Sequence, residues 1–276
     1  RTAIFEKERN VTDMVKFSCE KALLQQAVST VSRAVATKSS IPALEGILLE
    51  CEDVLRLSGY NMQTGIRTTL DGDISEKGRI VLNARLFGEM IRRLPDDMVV
   101  FDADGKFNVH LTCGDASFEL PGLSADDYPE LPEVDDQFSV TLEKRTLKAM
   151  IQQTSFAVSV NETRPIHTGA LFEINDRGLT MVAVDGFRLA LRREPLEHID
   201  GGAFRFVAPG SALNEVEKIC ADTDDMITVT QGKRHLLFEA GNTQLICRRL
   251  EGEFLDYKNA IPTNNPISIE VDNKTM

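Results

Sequence analysis

The chain has 276 residues, of which 42% are hydrophobic and 27% charged, a composition typical of globular proteins that argues against disordered and fibrous classes. No run approaches the ~18 consecutive apolar residues of a membrane-spanning helix, and the N-terminus lacks the apolar segment of a secretory signal, so we expect a cytoplasmic protein without membrane contact. The formal net charge of −12 argues against nucleic-acid binding unless basic residues are concentrated on one surface.

The chain opens with a charged segment, followed by an alternating strand and an amphipathic helix. Residues 1–13 precede a start at Met14 and are interpreted as an N-terminal extension or tag. Apolar residues recur on one face over residues 20–33 and again over 84–93, which predicts two helices. Alternating apolar and polar segments with Asp-Gly turns surround them and predict antiparallel hairpins.

This pattern repeats along the chain. VKFSCEKALL (15–24) aligns with FSVTLEKRTL (138–147) and with ISIEVDNKTM (267–276). Pro42 aligns with Pro165 at the same offset that aligns Gly46 with Gly169, and two further helices are predicted at 143–154 and 211–220. The sequence therefore predicts an α+β fold in which each repeated unit packs two helices on antiparallel sheet. The predicted domains are 14–134 and 137–262, with 267–276 as the start of a truncated third unit.

Charge is unevenly distributed between the predicted helices and the remainder of the chain. The four helices together are mildly basic, so the excess of acid lies elsewhere. Such a protein could present its helices to DNA while its other surfaces repel DNA. The alternative is that these are ordinary solvent-exposed helix faces, which are often rich in Lys and Arg.

No constellation of residues indicates an enzyme or a metal site. The five cysteines are odd in number and far apart without a CxxC pair, which predicts reduced, partly buried thiols. Short Asp-rich segments lie where hairpins must turn, and they are too short for a calcium loop. The histidines show no metal-binding or nucleophile-activating spacing. They are His110, His167, His198 and His235. We expect no catalytic residue, no metal and no cofactor.

Four motifs, taken with the repeat, carry a family resemblance: RRLPDD, RPIHTG, AVDGFRLAL and GEFLDYKNAIP. Together they resemble the bacterial DNA polymerase III beta subunit, the sliding clamp of the replisome. The resemblance implies repeated clamp domains that form a homodimeric ring around duplex DNA. It also implies a non-catalytic processivity factor that binds the polymerase III alpha subunit, the clamp loader and other proteins with a clamp-binding motif. Because the chain stops inside its third repeat, a C-terminally incomplete clamp is expected.

The resemblance also implies two sets of site residues. The positions that match DNA-contacting residues of the family are Lys38, Arg85, Asn161 and Arg164. The positions that match the groove for partner peptides are His167, Val184, Gly186, Phe187, Arg188, Leu189, Leu255, Asn259 and Ala260. His167 stands where Leu is common in the family, and Leu255 stands where Pro is usual. For Phe187 and Leu189 the alternative is an ordinary role as core residues of a strand.

Two other functions are compatible with the sequence. One is an α+β hydrolase or transferase whose active site lies in segments interpreted here as turns. The other is a truncated decoy or regulator that binds replication proteins through an incomplete groove. A clamp predicts a third unit of similar length beyond Met276, whereas an enzyme does not.

Overall fold

A computed structural model describes residues 14–135, 138–196, 199–200, 202–272 and 274. The segment 1–13, interpreted above as an extension or tag, lies outside the described residues.

The first unit runs from β1 to β9 and contains two helices. Its elements are β1 (Val15–Glu20), α1 (Lys21–Val31), β2 (Gly46–Cys51), β3 (Leu55–Tyr60), β4 (Thr64–Leu70), β5 (Asp73–Glu76), β6 (Gly78–Asn83), α2 (Ala84–Arg93), β7 (Met98–Ala103), β8 (Asn108–Cys113) and β9 (Ala116–Leu123).

The second unit repeats this order. Its elements are β10 (Phe138–Glu143), α3 (Lys144–Thr154), β11 (Gly169–Asn175), β12 (Gly178–Val184), β13 (Leu189–Glu194), β14 (Ile199–Asp200), β15 (Phe204–Pro209), α4 (Gly210–Ile219), β16 (Met226–Gln231), β17 (His235–Ala240) and β18 (Thr243–Arg248). A short helix, α5 (Tyr257–Ala260), follows.

The helices lie close to their predicted positions, with small shifts at the ends. The first predicted helix, 20–33, is an α-helix that ends at Val31 and continues as a 3₁₀ turn over Ser32–Ala34. The fourth begins at Gly210, directly after the strand that ends at Pro209. Helix α2 starts at a side-chain cap, because the Asn83 Oδ1 accepts a hydrogen bond of 3.0 Å from the Leu86 N–H.

The strands form two antiparallel sheets. The larger sheet has the order β14-β10-β16-β17-β18-β4-β3-β2-β6-β9-β8-β7-β1-β5, and the smaller has the order β13-β12-β11-β15. Strand β18 of the second unit pairs with β4 of the first, from Thr243 opposite Thr68 to Cys247 opposite Thr64. Backbone hydrogen bonds thus continue from one unit into the other, and we call this pairing the joint.

The main core lies between the sheets and the helices. It takes Leu24 and Val28 from α1, Phe87 from α2, and Leu147 and Leu213 from α3 and α4. Within each unit the two helices contact each other, so both members of a pair cover the same core. Burial of one side of an amphipathic helix is the usual source of its stability. The prediction of an α+β fold with helices packed on antiparallel sheet is confirmed.

Two smaller clusters lie on the other side of the sheets, which we call the outer face. In the first unit, Tyr60, Tyr128 and Leu131 pack with Ile246 of the second unit. In the second unit, Ile166, Leu171, Val182, Val184, Val207 and Tyr257 form the corresponding cluster. Side chains alternate between the two faces along a strand, so each strand contributes to both layers.

The strand expected at the start of 267–276 is absent from the described part of this segment. Residues 267–272 have no regular secondary structure, and Ile267 and Ile269 are each 81% exposed. An extended segment becomes a stable strand only when another strand satisfies its backbone donors and acceptors, and none of the described strands pairs with residues 267–271. The prediction of a strand here is wrong.

Candidate functional site

The four positions matched to DNA contacts lie at the ends of helices or in the loops that follow them. Arg85 is in the first turn of α2, and its side chain is 90% exposed with Nε 3.3 Å from the Glu89 Oε1. Lys38 is exposed in the loop after α1. Asn161 and Arg164 are exposed in the loop after α3, which is the corresponding loop of the second unit. The repeat therefore places Lys38 and Asn161 at equivalent positions.

A cleft of about 630 Å³ lies between α1 and α2. Its wall includes Arg85 and Arg92 from α2 and Thr37, which is adjacent to Lys38. Arg92 and its neighbour Arg93 form no ion pair within the described part of the chain. These side chains give the helix side of the first unit a positively charged edge.

Helix α3 is less positively charged than its sequence indicates. Lys144 Nζ lies 3.6 Å from Asp225, and Lys148 Nζ lies 3.0 Å from Asp222. Their side chains are only 13% and 21% exposed. The acidic loop that precedes β16 folds back against α3, which counting charges helix by helix does not reveal. The positive charge expected on the helices is therefore weaker at Lys144 and Lys148 of α3 than at Arg85 and Arg92 of α2.

An ion pair between the units was not anticipated from the sequence. Arg33 Nε, just after α1, lies 3.0 Å from the Glu215 Oε2 of α4, and both side chains are at most one quarter exposed. Lys218 Nζ is 2.8 Å from the other Glu215 oxygen. No periodicity or motif marks Arg33, because its partner lies in the other unit. This ion pair supports the joint from the helix side.

The residues matched to a peptide groove fall into a floor, a turn and a strap. The floor is apolar: Val184 is 3% exposed within the outer-face cluster of the second unit, and Leu189 packs against the same cluster. The strap is the segment 250–260, which crosses the outer face and carries Leu255, Asn259 and Ala260. Phe254 of the strap also packs against this cluster.

The turn is 185–188, between β12 and β13. Asp185 Oδ1 accepts hydrogen bonds of 3.1 Å from the N–H groups of both Phe187 and Arg188, and its Oδ2 accepts one of 2.7 Å from Arg188 Nε. These hydrogen bonds hold the pKa of Asp185 below its ordinary value, and the bond from the Phe187 N–H contributes most. Gly186 has a φ of +92°, which a residue with a Cβ rarely adopts.

Phe187 projects from this turn with its side chain fully exposed, at 101% of the reference area. It is therefore not a core residue, whereas Leu189 is partly buried and does contribute to the core. The Arg188 guanidinium carbon lies 5.7 Å from the centre of the Phe156 ring, which is itself 57% exposed. An exposed ring beside an apolar floor is the arrangement expected of a surface that captures an apolar side chain.

His167 and the strap meet at the far side of the floor. The His167 ring makes an edge-to-face contact with the Phe254 ring, at 5.4 Å between centroids. Burial and then the nearby Arg164 charge lower the pKa of His167 below its ordinary value, so the ring is neutral near pH 7. Phe254 was missed as a candidate, although it lies inside the GEFLDYKNAIP motif.

Helix α5 anchors the strap to the sheet. Tyr257 is 3% exposed, and its hydroxyl donates to Glu173 Oε2 at 3.1 Å, while Lys258 Nζ lies 2.8 Å from Glu173 Oε1. Asn259 and Ala260 are exposed, and the Asn259 amide donates to Asp256 within the strap. The structure thus brings the floor, turn and His167 into one region, with Asn259 and Ala260 at its margin.

The cysteines and acidic turns offer no alternative site. All five cysteines are buried, and burial raises the pKa of the Cys51 and Cys247 thiols to about 12. Within the described ranges, no group of three or more His, Cys, Asp or Glu side chains could hold a metal ion. None of the helices that the structure describes is long and apolar enough to cross a membrane.

The chain matches two sequence families along most of its length. Residues 15–132 match the N-terminal domain of the DNA polymerase III beta subunit, and residues 141–256 match its central domain. It is 33% identical over 269 residues to the beta sliding clamp of Bacillus subtilis, a match that covers 94% of this chain and 71% of that protein. The chain belongs to the DNA polymerase III beta subunit family of sliding clamps.

Other members of the family give the same result. The beta sliding clamp of Halalkalibacterium halodurans is 34% identical over 271 residues, again covering 94% of this chain and 71% of that protein. Among solved structures, the sliding clamp of B. subtilis superposes with a TM-score of 0.86 at 32% identity, covering 91% of this chain and 68% of that one. A putative beta subunit from Eubacterium rectale gives 0.85 at 34% identity, covering 89% and 67%. The resemblance inferred from the motifs is confirmed.

Proposed function

We propose that the chain acts as a DNA sliding clamp, a processivity factor that encircles duplex DNA and tethers a replicative polymerase. Its main support is the repeated unit itself, in which each pair of helices covers one side of the sheet. In this function residues 14–134 and 137–262 are the first two clamp domains, and the complete protein closes as a homodimeric ring in the cytoplasm.

DNA contact by such a clamp must be weak and independent of sequence, because strong or base-specific contacts would prevent sliding. Exposed side chains that can reach phosphates only transiently suit this role. Lys38, Arg85, Asn161 and Arg164 all lie at helix ends or in loops, and their exposure supports their assignment as DNA contacts.

Partner proteins are proposed to bind through the floor, turn and strap of the second unit. The apolar floor would hold an aliphatic or aromatic side chain of an extended peptide, with Phe187 and Arg188 at its rim. The polymerase III alpha subunit, the clamp loader and other proteins with a clamp-binding motif are the proposed partners. The clamp itself performs no catalysis in this function.

Retention on circular DNA tests the topological part of the proposal. The protein is loaded onto a nicked circular plasmid with a clamp loader, and the DNA-bound fraction is separated by gel filtration. A sliding clamp stays bound to the circle at moderate salt and is released when a restriction enzyme linearises the plasmid. Equal retention on circular and linear DNA would contradict it.

A further inference from the structure

A group of arginines on the outer face has no role in the proposed clamp function. Arg205 on β15, Arg234 in the turn before β17, and Arg248 and Arg249 at the end of β18 form the arginine patch. Arg249 N–H donates to the Arg234 carbonyl at 3.0 Å, and His235 lies directly opposite Arg248 in the β17–β18 pair. The patch is therefore assembled from three strands that are adjacent in space.

Buried Gln231 connects the ends of this patch. In the amide orientation that satisfies both of its ends, its nitrogen donates to the Arg205 carbonyl at 3.1 Å and its oxygen accepts from Arg249 Nη1 at 3.2 Å. Arg249 Nε is also buried but has no hydrogen-bond partner in the described part of the chain. A buried guanidinium N–H without a protein acceptor can donate to an anionic ligand.

Nearby acids offset the positive charge of the arginine patch only in part. None of its four arginines forms an ion pair with a described residue, in a chain whose net charge is −12. Three acids lie near the patch. Glu173 is opposite Arg205 in the β11–β15 pair but is already bonded to Lys258 and Tyr257, Asp135 is 4.0 Å from Lys233, and Glu251 lies on the wall of the adjoining cleft. Burial and then the charges of Arg248 and Arg234 hold the pKa of His235 below its ordinary value.

A cleft of about 460 Å³ adjoins the patch. Arg205, Arg249 and Glu251 lie on its wall, and the half-buried ring of Phe254 provides most of its apolar surface, with nearly buried Leu171 and Val207 beneath. A ligand that fits both parts carries negative charge beside an apolar side chain. The shape and charge thus favour a short acidic segment over an isolated small anion.

The side of the sheet on which the patch lies favours a protein over a nucleic acid. Leu236, Phe206 and Cys247 point into the core beneath the helices, so alternation along the strands places His235, Arg205 and Arg248 on the outer face. DNA is proposed to lie against the helices, on the opposite side. This choice between ligands rests on the proposed function.

We propose that the arginine patch and its cleft form a docking surface for an acidic segment of a partner protein that carries an apolar anchor. This surface adjoins the proposed peptide groove and shares the outer-face cluster and Phe254 of the strap with it, but it does not include the turn at 185–188. It would allow a partner to hold the clamp by its outer face while the turn at Phe187 remains free.

Fluorescence anisotropy with a labelled peptide tests this proposal. The probe is a short oligoglutamate with one central phenylalanine, titrated at low and moderate salt with the full chain. We expect binding that weakens as salt rises and falls by about tenfold or more in the Arg205→Gln/Arg248→Gln variant, because charged hydrogen bonds are lost. Both side chains are exposed, so the fold should survive, and a melting curve checks this.

The matched control is Arg177→Gln/Arg193→Gln, which removes the same charge from exposed arginines elsewhere on the outer face. The control should retain the affinity of the parent. No binding by the parent, or equal losses in both double variants, would overturn the proposal.

A duplex oligonucleotide is titrated in parallel to distinguish this proposal from the proposed clamp function. If the patch variant loses duplex binding and keeps peptide binding, the patch belongs to a nucleic acid and the proposal is wrong. If Arg85→Gln leaves duplex binding unchanged while the patch variant loses the peptide, the docking surface stands and the proposed DNA contact at Arg85 fails.

Discussion

The two units contain the same turn in two different settings. In the first unit Asn61 Oδ1 accepts hydrogen bonds from the N–H groups of Gln63 and Thr64, at 3.0 and 2.8 Å. In the second, Asp185 makes the equivalent bonds to Phe187 and Arg188. The local chemistry is shared, since a short side-chain acceptor closes the turn in both.

What differs is the cover over each turn. Beside the first turn, Tyr60 is 6% exposed and packs with Leu131 and Ile246, while the Gln63 carbonyl accepts from the Arg248 N–H across the joint. At the second turn no described residue covers Phe187. The comparison shows that one hairpin design serves either as part of a domain joint or as an exposed recognition surface, depending on what packs against it.

Removing a side chain at the covered turn should give the largest effect. Tyr60→Ala should lower the free energy of unfolding by about 3 kcal/mol, because it empties a packed position at the joint. Phe187→Ala should change it by less than about 0.5 kcal/mol, because that ring is already in solvent. Urea titrations followed by circular dichroism measure both. Similar losses of unfolding free energy in Tyr60→Ala and Phe187→Ala would contradict the inference that only the first turn is covered by other residues.

The exposed turn should dominate partner binding instead. Phe187→Ala should weaken a clamp-binding peptide by about 1–3 kcal/mol, as expected for a central aromatic contact, with an unchanged melting curve. Met62→Ala, at the other turn, is the matched control and should bind as the parent does. Leu189→Ala should also weaken binding, but its partial burial means that stability must be measured alongside. Calorimetric titration that finds equal affinity for the parent and Phe187→Ala would remove the site from this turn.

Much of the fold follows from the sequence because the determining signals are local or repeated. Helical periodicity locates α1 to α4, and the aligned Pro42 and Pro165 reveal the repeat. The interactions missed by sequence reasoning are those between distant segments. Arg33 meets Glu215 only across the joint, and Lys148 is paired by Asp222 only because a loop folds back.

The candidate sites follow the same division. The turn at Gly186 is predictable, because an Asp-Gly pair between two alternating segments specifies it. Phe187 is fully exposed, whereas Leu189 is partly buried. This difference depends on how the strap and the next strand pack, which the local sequence does not define. The segment 267–271 shows the same limit, since its alternation predicts a strand but none of the described strands pairs with it.

Substituting the central residue of either turn should change the free energy of unfolding by less than Tyr60→Ala does. Gly186 has a φ of +92° and Met62 a φ of +70°. Gly186→Ala should destabilise the fold by about 1 kcal/mol through backbone strain, although nothing lies near the added methyl group. Met62→Gly relieves strain but increases the entropy of the unfolded chain, so it should change stability little. Chemical denaturation of both variants checks the difference, which would be refuted by a neutral Gly186→Ala.

The smallest expected effect is a pH dependence at the second turn, which has no equivalent at the first because Leu44 occupies the position of His167 in the repeat. Burial and then Arg164 lower the pKa of His167, so the folded protein favours the neutral ring. Its contribution to stability is therefore complete above the unfolded-state value near 6.5 and is lost as the pH falls through the lower folded-state pKa. A charged ring also disfavours an apolar anchor on the floor, so peptide affinity should fall by less than about tenfold over the same range. Calorimetry between pH 7.5 and 5 should show this loss in the parent and not in His167→Leu, and the same slope in both would assign the effect to another group.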